Sequence, residues 1–286
     1  MYSEKTSASR TKANPAYGSG NTTYCSIDAH SYIHEVGHMF GLDDYYDYAN
    51  KYNPSGGFSM QDDNVGGHDP FSCLTLGWAD AYVPYEECTI TLTPFQSSHE
   101  VILLSPSFNS ANSPCDEYLL LELYTPTGLN KFDTDHLYRE GYPRGVDETG
   151  IRLWHIDARL VEVRNAYNSA YSDKSYVVPF KNNALMMSNT YPSATNAYIS
   201  PCGEEYADFN LLQLIRNNSK ETSYSKNQFS KSDLFLSGSS FNMNTFKKQF
   251  VFNGKLNSGA TLDWSFSVSI KGSNENAVAT ITLNKD

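Results

Sequence analysis

The strongest constraint on the fold is a series of short apolar segments that fills the chain from about Val83 to its end. Several alternate apolar and polar residues, and turns rich in Gly, Pro, Asn and Ser separate them, as is typical of strands. The segments are CTITLTPF, EVILLS, EYLLLELY, GIRLWHID, SYVVPF, KQFVFNGK, LDWSFSVSI and NAVATITL. The 21 Tyr and 15 Phe residues also favour strands. We therefore predict a mostly antiparallel, β-sandwich-like region over residues 83–286, with a barrel as the alternative.

Residues 1–82 have a different pattern and form the first predicted domain of an α+β protein. The chain is polar and rich in Gly and Ser to about residue 24. A helix is predicted from Ile27 to Phe40, where Gly41 ends it. Ser26 or Asp28 can cap its amino end. Its apolar stripe consists of Ala29, Ile33, Val36 and Phe40.

A long polar loop over residues 43–69 follows, and its length favours a functional role. After it, HDPFSCLTLGW predicts a second, short helix. Asp69 is the expected cap, Pro70 occupies the first turn, and Gly77 ends the helix.

Composition argues against several classes of protein. The net charge of −11 disfavours a nucleic-acid partner, because no basic stripe is present to displace counterions from phosphates. No apolar run is long enough to cross a bilayer, and the start, MYSEKTSASR, lacks an apolar signal core. The five cysteines have no CxxC spacing, which argues against a cysteine zinc site and favours buried apolar positions, with one or two disulfides as the alternative.

The segment HEVGHMFGLDD, which begins at His34, has the residues and spacing of a zinc site. His34 and His38 are four residues apart, so their imidazoles project from one helix face and can reach one zinc ion at about 2 Å. Glu35 is rotated by about 100° from His34, where it could contact a zinc-bound water without being a ligand. Gly41 turns the chain back, which makes Asp44 the predicted third ligand.

An HExxH segment alone also occurs on ordinary surface helices, but HExxHxxGxxD is far more specific, and every position is met here. The segment resembles the zinc helix of the metzincins, in the version in which aspartate is the third ligand. That resemblance implies a methionine turn beneath the metal, and GGFSMQDDN supplies Met60 for it. Without the resemblance, Met60 would be interpreted as an ordinary core residue.

Within the metzincins, GLDDYYDY and GGFSMQDDNVGGHDPFSCLTLGW resemble the immune inhibitor A family of secreted bacterial metallopeptidases. EYLLLELYTPTGLN and GIRLWHIDARL resemble that family's β-rich region after the catalytic domain. The resemblance covers residues 25 to about 160 and, more weakly, the rest. It implies that residues 1–82 are the C-terminal part of a metzincin-like catalytic domain, with a secreted or cell-surface location.

The chain departs from the metzincin pattern before the zinc helix. Metzincins have a sheet-containing half-domain there, whereas only 33 residues precede His34. The apolar stripe would need that sheet for part of its burial, and each exposed side chain would forgo about 1.5–3 kcal/mol. The missing signal core and the odd number of cysteines both fit the loss of an amino-terminal segment. We therefore expect a chain truncated at its amino end.

Two further histidines and one aspartate are weaker candidates. His30 lies one turn before His34 and could hydrogen-bond near the site, although a partly exposed polar residue is the simpler expectation. His68 could help to stabilise an oxyanion, as the family resemblance implies, although a loop or capping role is simpler. Some metzincins place a tyrosine two residues after the turn methionine, where this chain has Asp62.

Two other sets of residues could bind metal. Oxygen-rich loops can hold Ca²⁺, but no EF-hand spacing is present, so a solvated acidic loop is favoured over calcium. The loop aspartates are Asp43, Asp47, Asp62, Asp63 and Asp69. His155 and Asp157 point to the same face of one predicted strand, where we expect hydrogen bonding rather than a second metal site.

These features together predict a zinc-dependent endopeptidase. Zinc would activate a water, and Glu35 would be the general base in the hydrolysis of polypeptides. The alternative is a non-catalytic secreted or surface module, in which the Tyr-rich β-region binds glycan or protein and the zinc site is vestigial.

Overall fold

The computed structural model describes residues 29–47, 52–106, 114–135, 145–163, 177–179, 190–192, 209–223 and 225–285. These residues form an α+β fold with few helices and mostly antiparallel sheets, which confirms the predicted class. Its helices are α1 (His30–Met39), α2 (Pro70–Thr75), α3 (Phe95–Ser98) and α4 (Leu129–Asp135). Its strands are β1 (Asp80–Tyr82), β2 (Cys88–Leu92), β3 (Glu100–Leu104), β4 (Glu117–Tyr124), β5 (Gly150–Asp157), β6 (Leu160–Val163), β7 (Val177–Pro179), β8 (Thr190–Pro192), β9 (Leu212–Ile215), β10 (Ser240–Phe241), β11 (Trp264–Lys271) and β12 (Val278–Lys285).

Seven of the eight segments predicted as strands contain one, and KQFVFNGK is the exception. There, Lys247–Gln249 forms a 3-10 turn, and no strand follows it in residues 250–255. Asn253 and Gly254 have φ values of 52° and 96°, a left-handed conformation that interrupts an extended strand. The strand prediction was wrong because these residues form turns, from which Phe250 packs into a core while Phe252 is 48% exposed.

A five-stranded sheet in the order β1-β3-β4-β5-β9 forms the centre of the described fold. β1 runs parallel to β3, and the other neighbours are antiparallel. All eight residues of β4 and all eight of β5 are buried. A strand whose two faces are both buried reads as a nearly continuous apolar run, and EYLLLELY is such a run.

The first core lies between this sheet and a four-stranded antiparallel sheet in the order β10-β11-β12-β2. Alternate residues of β4, such as Leu119 and Leu121, face this core together with Phe266 and Ile281 of the second sheet. The two sheets therefore pack face to face, as the alternation of their strands requires. A separate small sheet has the order β7-β6-β8.

The second core covers the opposite face of the five-stranded sheet. Tyr118 and Trp154 of that sheet pack in one cluster with Tyr45, Phe58 and Phe71 from the front of the chain. Residues on both sides of position 82 thus share one core, and the division of the chain into domains at 82/83 remains a prediction.

A buried ion pair lies within the second core. Arg152 Nε is 2.7 Å from a Glu122 carboxylate oxygen, and Trp154 Nε1 donates to the same oxygen at 2.9 Å. The Arg152 guanidinium also donates to the Phe58 carbonyl at 3.1 Å. A buried charge is tolerated where it is paired and hydrogen-bonded, and here the pair ties the loop before Met60 to the central sheet.

Two cysteines occupy apolar positions, as predicted. Cys73 lies in the second core and Cys88 packs against the first. Burial raises the pKa of both thiols, which disfavours the reactive thiolate. Cys25 and Cys202 lie outside the described residues.

Helix α1 buries a polar face and exposes an apolar one. Its buried residues include His30, His34 and Gly37. Val36 and Phe40 of the predicted apolar stripe are 44% and 57% exposed, so the rest of the described fold does not bury that stripe. Ala29 is at the N-cap without a side-chain hydrogen bond, and the predicted caps, Ser26 and Asp28, lie outside the described residues.

Membrane-spanning helices are not found in the described part of the chain. Its longest helix, α1, has 10 residues, whereas a bilayer requires about 20 apolar ones.

His155 and Asp157 lie on one face of β5, as predicted, and both are hydrogen-bonded. His155 Nε2 is 2.9 Å from a Glu117 carboxylate oxygen, and Asp157 receives two hydrogen bonds from Arg159 at 2.7 and 2.8 Å. Burial would raise the pKa of Glu117, but the hydrogen bond and charge of His155 and the charge of Arg159 outweigh it and lower that pKa to about 2. This polar cluster ties the start of β4 to the end of β5.

The lowered pKa of Glu117 predicts a loss of stability in acid. Folding gains free energy from this carboxylate above its ordinary pKa of 4.5, and the gain disappears as the pH falls from 4.5 to about 2. We expect Glu117→Gln to reduce the free energy of unfolding near neutral pH and to flatten its decline over that acid range. Urea unfolding of the metal-free chain at several pH values measures both effects.

Glu275→Gln is the matched control, because Glu275 is exposed in the 3-10 turn Asn274–Asn276. It should leave the acid decline unchanged. An equally steep decline in Glu117→Gln would contradict the prediction.

Candidate metal centre

Helix α1 ends in a turn that brings the chain back towards the helix. The Gly41 N–H donates to the His38 carbonyl at 3.0 Å, and the Leu42 N–H donates to the Gly37 carbonyl at 3.1 Å. This pair of bonds is a Schellman motif, which requires a left-handed residue, and Gly41 has φ of 92°. The predicted helix end at Gly41 is confirmed, and the turn leads directly into Asp44.

Three predicted ligands converge at this turn. His34 Nε2 and His38 Nε2 are 3.0 Å apart, and Asp44 Oδ1 lies 3.1 Å from the first and 3.2 Å from the second. Among the described residues, this is the one group of three or more His, Cys, Asp or Glu side chains whose ligand atoms all lie within 4.8 Å of one another. His34 and Asp44 are buried and His38 is partly exposed, so the site opens to solvent on the His38 side.

Backbone carbonyls determine the tautomer of both histidines. His34 Nδ1 is 2.8 Å from the Met60 carbonyl, and His38 Nδ1 is 2.9 Å from the Leu42 carbonyl. A carbonyl can only accept, so each Nδ1 must carry the proton. In the neutral form, both Nε2 lone pairs then face each other and the Asp44 carboxylate. Three acceptors this close repel one another unless a cation lies among them.

The geometry of the three atoms suits zinc. Ligand atoms about 2.0–2.1 Å from a tetrahedral zinc ion lie roughly 3.3 Å from one another, close to the separations of 3.0–3.2 Å found here. In the metal-free chain a proton can serve as the cation instead. Burial of His34 opposes this charge, but hydrogen bonding to Asp44 and to the Met60 carbonyl outweighs burial and raises its pKa above 6.5.

Met60 lies in the turn that supports His34. Its carbonyl accepts from His34, and its own N–H donates to the Gly67 carbonyl at 3.1 Å. Its side chain is fully buried. The structure therefore brings Met60 to the zinc helix through its backbone, while its role as a methionine turn remains a prediction.

A buried hydrogen-bond network holds this turn against α2. Asp69 accepts from the Ser59 and Ser72 hydroxyls at 2.8 and 2.9 Å and from the Ser72 N–H at 2.9 Å. The Tyr45 hydroxyl lies 3.0 Å from the Ser72 hydroxyl. The predicted capping of α2 by Asp69 is confirmed, and the same carboxylate also fixes the residue before Met60.

Sequence reasoning missed Tyr46 as a partner of the third ligand. Its hydroxyl donates to Asp44 Oδ2 at 3.0 Å, which leaves Oδ1 directed at the histidines. The tyrosines that directly follow Asp44 were the available signal, since a ligand carboxylate needs a partner for its second oxygen.

Glu35 and His68 both lie within electrostatic range of His34. Glu35 is exposed on α1, beside His34. His68 is partly buried, with its ring 6.0 Å from that of Trp78. Burial lowers the pKa of His68, and the charge of His34 lowers it further, although Asp69 opposes both. His68 is therefore a neutral imidazole within electrostatic reach of His34, one of the predicted ligands.

His30 is buried, so the expectation of a partly exposed residue was wrong. Its Nε2 is 3.2 Å from Asp133 Oδ2, and the Gly66 N–H donates to the same oxygen at 2.5 Å. The Gly67 N–H donates to Asn130 Oδ1 at 3.1 Å. Helix α4 therefore ties α1 to the loop after Met60, a long-range contact that no local pattern predicts.

The loop aspartates do not bring three ligand atoms together within the described residues, although Asp47, Asp62 and Asp63 line one pocket. Asp69 caps α2, and Asp62 accepts from the Ser55 hydroxyl and from the Gly57 N–H at 3.2 Å. Burial and the neighbouring Asp63 raise the pKa of Asp62 to about 7. Asp62, at the position of the helper tyrosine, and Asp69 are buried, so the prediction of a solvated acidic loop was wrong for these two residues, while calcium binding by the loop stays a prediction.

Comparison of the chain with protein-family models, with curated proteins and with solved structures gave no match. The resemblance to the metzincins and to the immune inhibitor A family therefore remains a prediction from the motif residues.

The geometry predicts that Asp44 is the third ligand. We expect Asp44→Ala to weaken zinc affinity by at least about 100-fold, beyond the 10- to 100-fold typical of losing a partner of a ligand. Zinc titration against a competing chelator measures the affinity. Asp47→Ala is the control, because Asp47 is a carboxylate of the same loop outside the converging group. If Asp47→Ala lost zinc affinity and Asp44→Ala kept it, the third ligand would be Asp47 and not Asp44.

The raised pKa of His34 predicts that zinc binding is sensitive to mild acid. Protons compete with zinc for Nε2, and because the pKa lies above 6.5 the competition begins near neutral pH. We expect apparent zinc affinity to be highest at alkaline pH and to decline as the pH falls through the raised pKa of His34, as is usual where a ligand must be deprotonated. Affinity that stays constant down to about pH 5 would contradict this coupling.

Proposed function

We propose that this chain binds zinc through His34, His38 and Asp44 and hydrolyses peptide bonds with Glu35 as general base. The observation that carries the proposal is the convergence of two Nε2 lone pairs and one carboxylate oxygen within 3.0–3.2 Å, with both Nδ1 protons engaged by carbonyls. Three ligands leave a fourth tetrahedral position for water or substrate, as in catalytic rather than structural zinc sites.

Zinc at this position would act as a Lewis acid and lower the pKa of a coordinated water to about 7. Glu35 is suited to accept the proton of that water, because it is exposed next to His34 and is not one of the converging ligands. The same carboxylic acid can then donate the proton to the leaving amine. Hydrolysis by direct attack of water requires no covalent intermediate.

His68 is suited to stabilise the developing negative charge on the substrate oxygen. A neutral imidazole donates one N–H, and the lowered pKa of His68 keeps it neutral. Its Nδ1 is buried and has no hydrogen-bond partner among the described residues, so a substrate would meet the other ring nitrogen, Nε2.

Polypeptides are the proposed substrate class, on the basis of the motif resemblance. The location proposed with it, secreted or cell-surface, rests on the same resemblance. A folded chain that binds zinc but cleaves no peptide would favour the alternative, a binding module with a vestigial site.

The role of Glu35 leads to a direct test. Glu35→Gln keeps the size of the side chain but removes the base, so we expect about one zinc per chain and a loss of peptide hydrolysis of about 10²–10⁴-fold. Zinc content by elemental analysis and cleavage of an unstructured polypeptide measure the two effects.

Glu275→Gln again serves as the control, since it removes an exposed carboxylate far along the chain. It should retain both zinc and hydrolysis. Hydrolysis that persists in Glu35→Gln would refute the base assignment, and a zinc-loaded unmodified chain without hydrolysis would refute the peptidase proposal.

A further inference from the structure

Gln61 follows Met60 and lies where the supports of two proposed ligands, His34 and Asp44, meet. The carbonyl before it, that of Met60, accepts from His34. Its own carbonyl accepts from the Tyr45 N–H at 2.7 Å, and Tyr45 directly follows Asp44. Its side chain lies against Gly37, between the two histidines on α1.

The contact with Gly37 leaves no room for a larger residue. A Cβ atom at position 37 would lie 2.8 Å from Gln61 Cδ and 3.0 Å from Nε2, with Oε1 closer still. Such separations are shorter than van der Waals contact. Gln61 is fully buried, so its amide cannot swing into solvent to relieve the overlap.

Glycine in a helix interior is normally unfavourable relative to alanine. A glycine at position 37 therefore needs a reason other than helix propensity. The approach of Gln61 supplies one, because only an absent Cβ allows the turn at Met60 to come close enough for its carbonyl to accept from His34.

We propose that Gln61 is a positioning residue for the zinc centre, which sets the distance between helix α1 and the turn at Met60, and that Gly37 is the complementary position. This inference rests on the proposed zinc site. Gln61 acts through volume: it fills the space beneath Gly37, and neither of its amide atoms has a hydrogen-bond partner among the described residues. A change in that distance moves the carbonyl that fixes the His34 tautomer.

A double-mutant cycle on Gly37 and Gln61 tests this proposal. We expect Gly37→Ala to lower zinc affinity by about 10- to 100-fold, as for the loss of an outer support of a metal ligand. In a Gln61→Ala background, the same Gly37→Ala change should have little further effect, because the atoms it would strike are gone. Non-additivity of this kind is expected only for residues in contact.

Three further readouts separate positioning from general stability. Co²⁺ in place of zinc reports ligand geometry through its visible absorption, which should change in Gly37→Ala and return towards the Gln61→Ala spectrum in the double variant. Gln61→Met, which preserves length and volume, should keep the unmodified zinc affinity. Met39→Ala on the exposed face of α1 is the control and should change neither affinity nor spectrum.

Each outcome has a distinct meaning. The proposal would be overturned if Gly37→Ala lowered zinc affinity equally with and without the Gln61 side chain. It would also be overturned if Gln61→Met bound zinc as weakly as Gln61→Ala. Non-additivity in the melting temperatures of the metal-free proteins, without non-additivity in zinc affinity, would also overturn it. If the unmodified chain binds zinc but cuts no peptide, only the peptidase proposal fails, because the cycle uses metal binding alone. If it binds no zinc, the metal centre and this inference both fail.

Discussion

Burial of both faces of the five-stranded sheet is the constraint on which the rest of the described fold depends. Along β4, Leu119 and Leu121 enter the first core, while Tyr118 and Leu120 enter the second. A shift of one residue in register would exchange these two sets and misplace every side chain. Glu122 and Arg152 form a charged pair that faces the second core, which is tolerated because its charges are paired and hydrogen-bonded.

The same sheet is connected to the candidate metal centre by hydrogen bonds to the loop around Met60. Arg152 donates to the Phe58 carbonyl, two residues before Met60. Asn130 and Asp133 of α4 accept from Gly67 and Gly66, and the Gly67 carbonyl in turn accepts from Met60. The Met60 carbonyl that orients His34 is therefore held by residues from the β-rich part of the chain, which explains why the two parts share a core.

Sequence patterns predicted those features of the site that depend on neighbours in the chain. The end of α1 at Gly41 and the capping of α2 by Asp69 follow from local backbone chemistry, and both are confirmed. The burial of His30 against Asp133 and the contact of Gln61 with Gly37 were not predictable, because each joins residues far apart in sequence. The strand predicted at KQFVFNGK failed for a related reason, since Phe250 is placed in the first core from a turn and not by strand alternation.

By itself, the sequence determined which atoms can bind a metal and that two of them lie on one helix face. A spacing of four residues ensures this for His34 and His38 wherever the helix forms. The turn at Gly41 also predicted Asp44 as the third ligand, and the carbonyl of Leu42 beside His38 belongs to the same local turn. Tertiary structure alone decided that the Met60 carbonyl, distant in sequence, holds the His34 proton on Nδ1 and so directs its Nε2 lone pair to Asp44. The physical reason is that a helix fixes the direction of a side chain, whereas the protonated nitrogen of an imidazole depends on which carbonyl packs beside it.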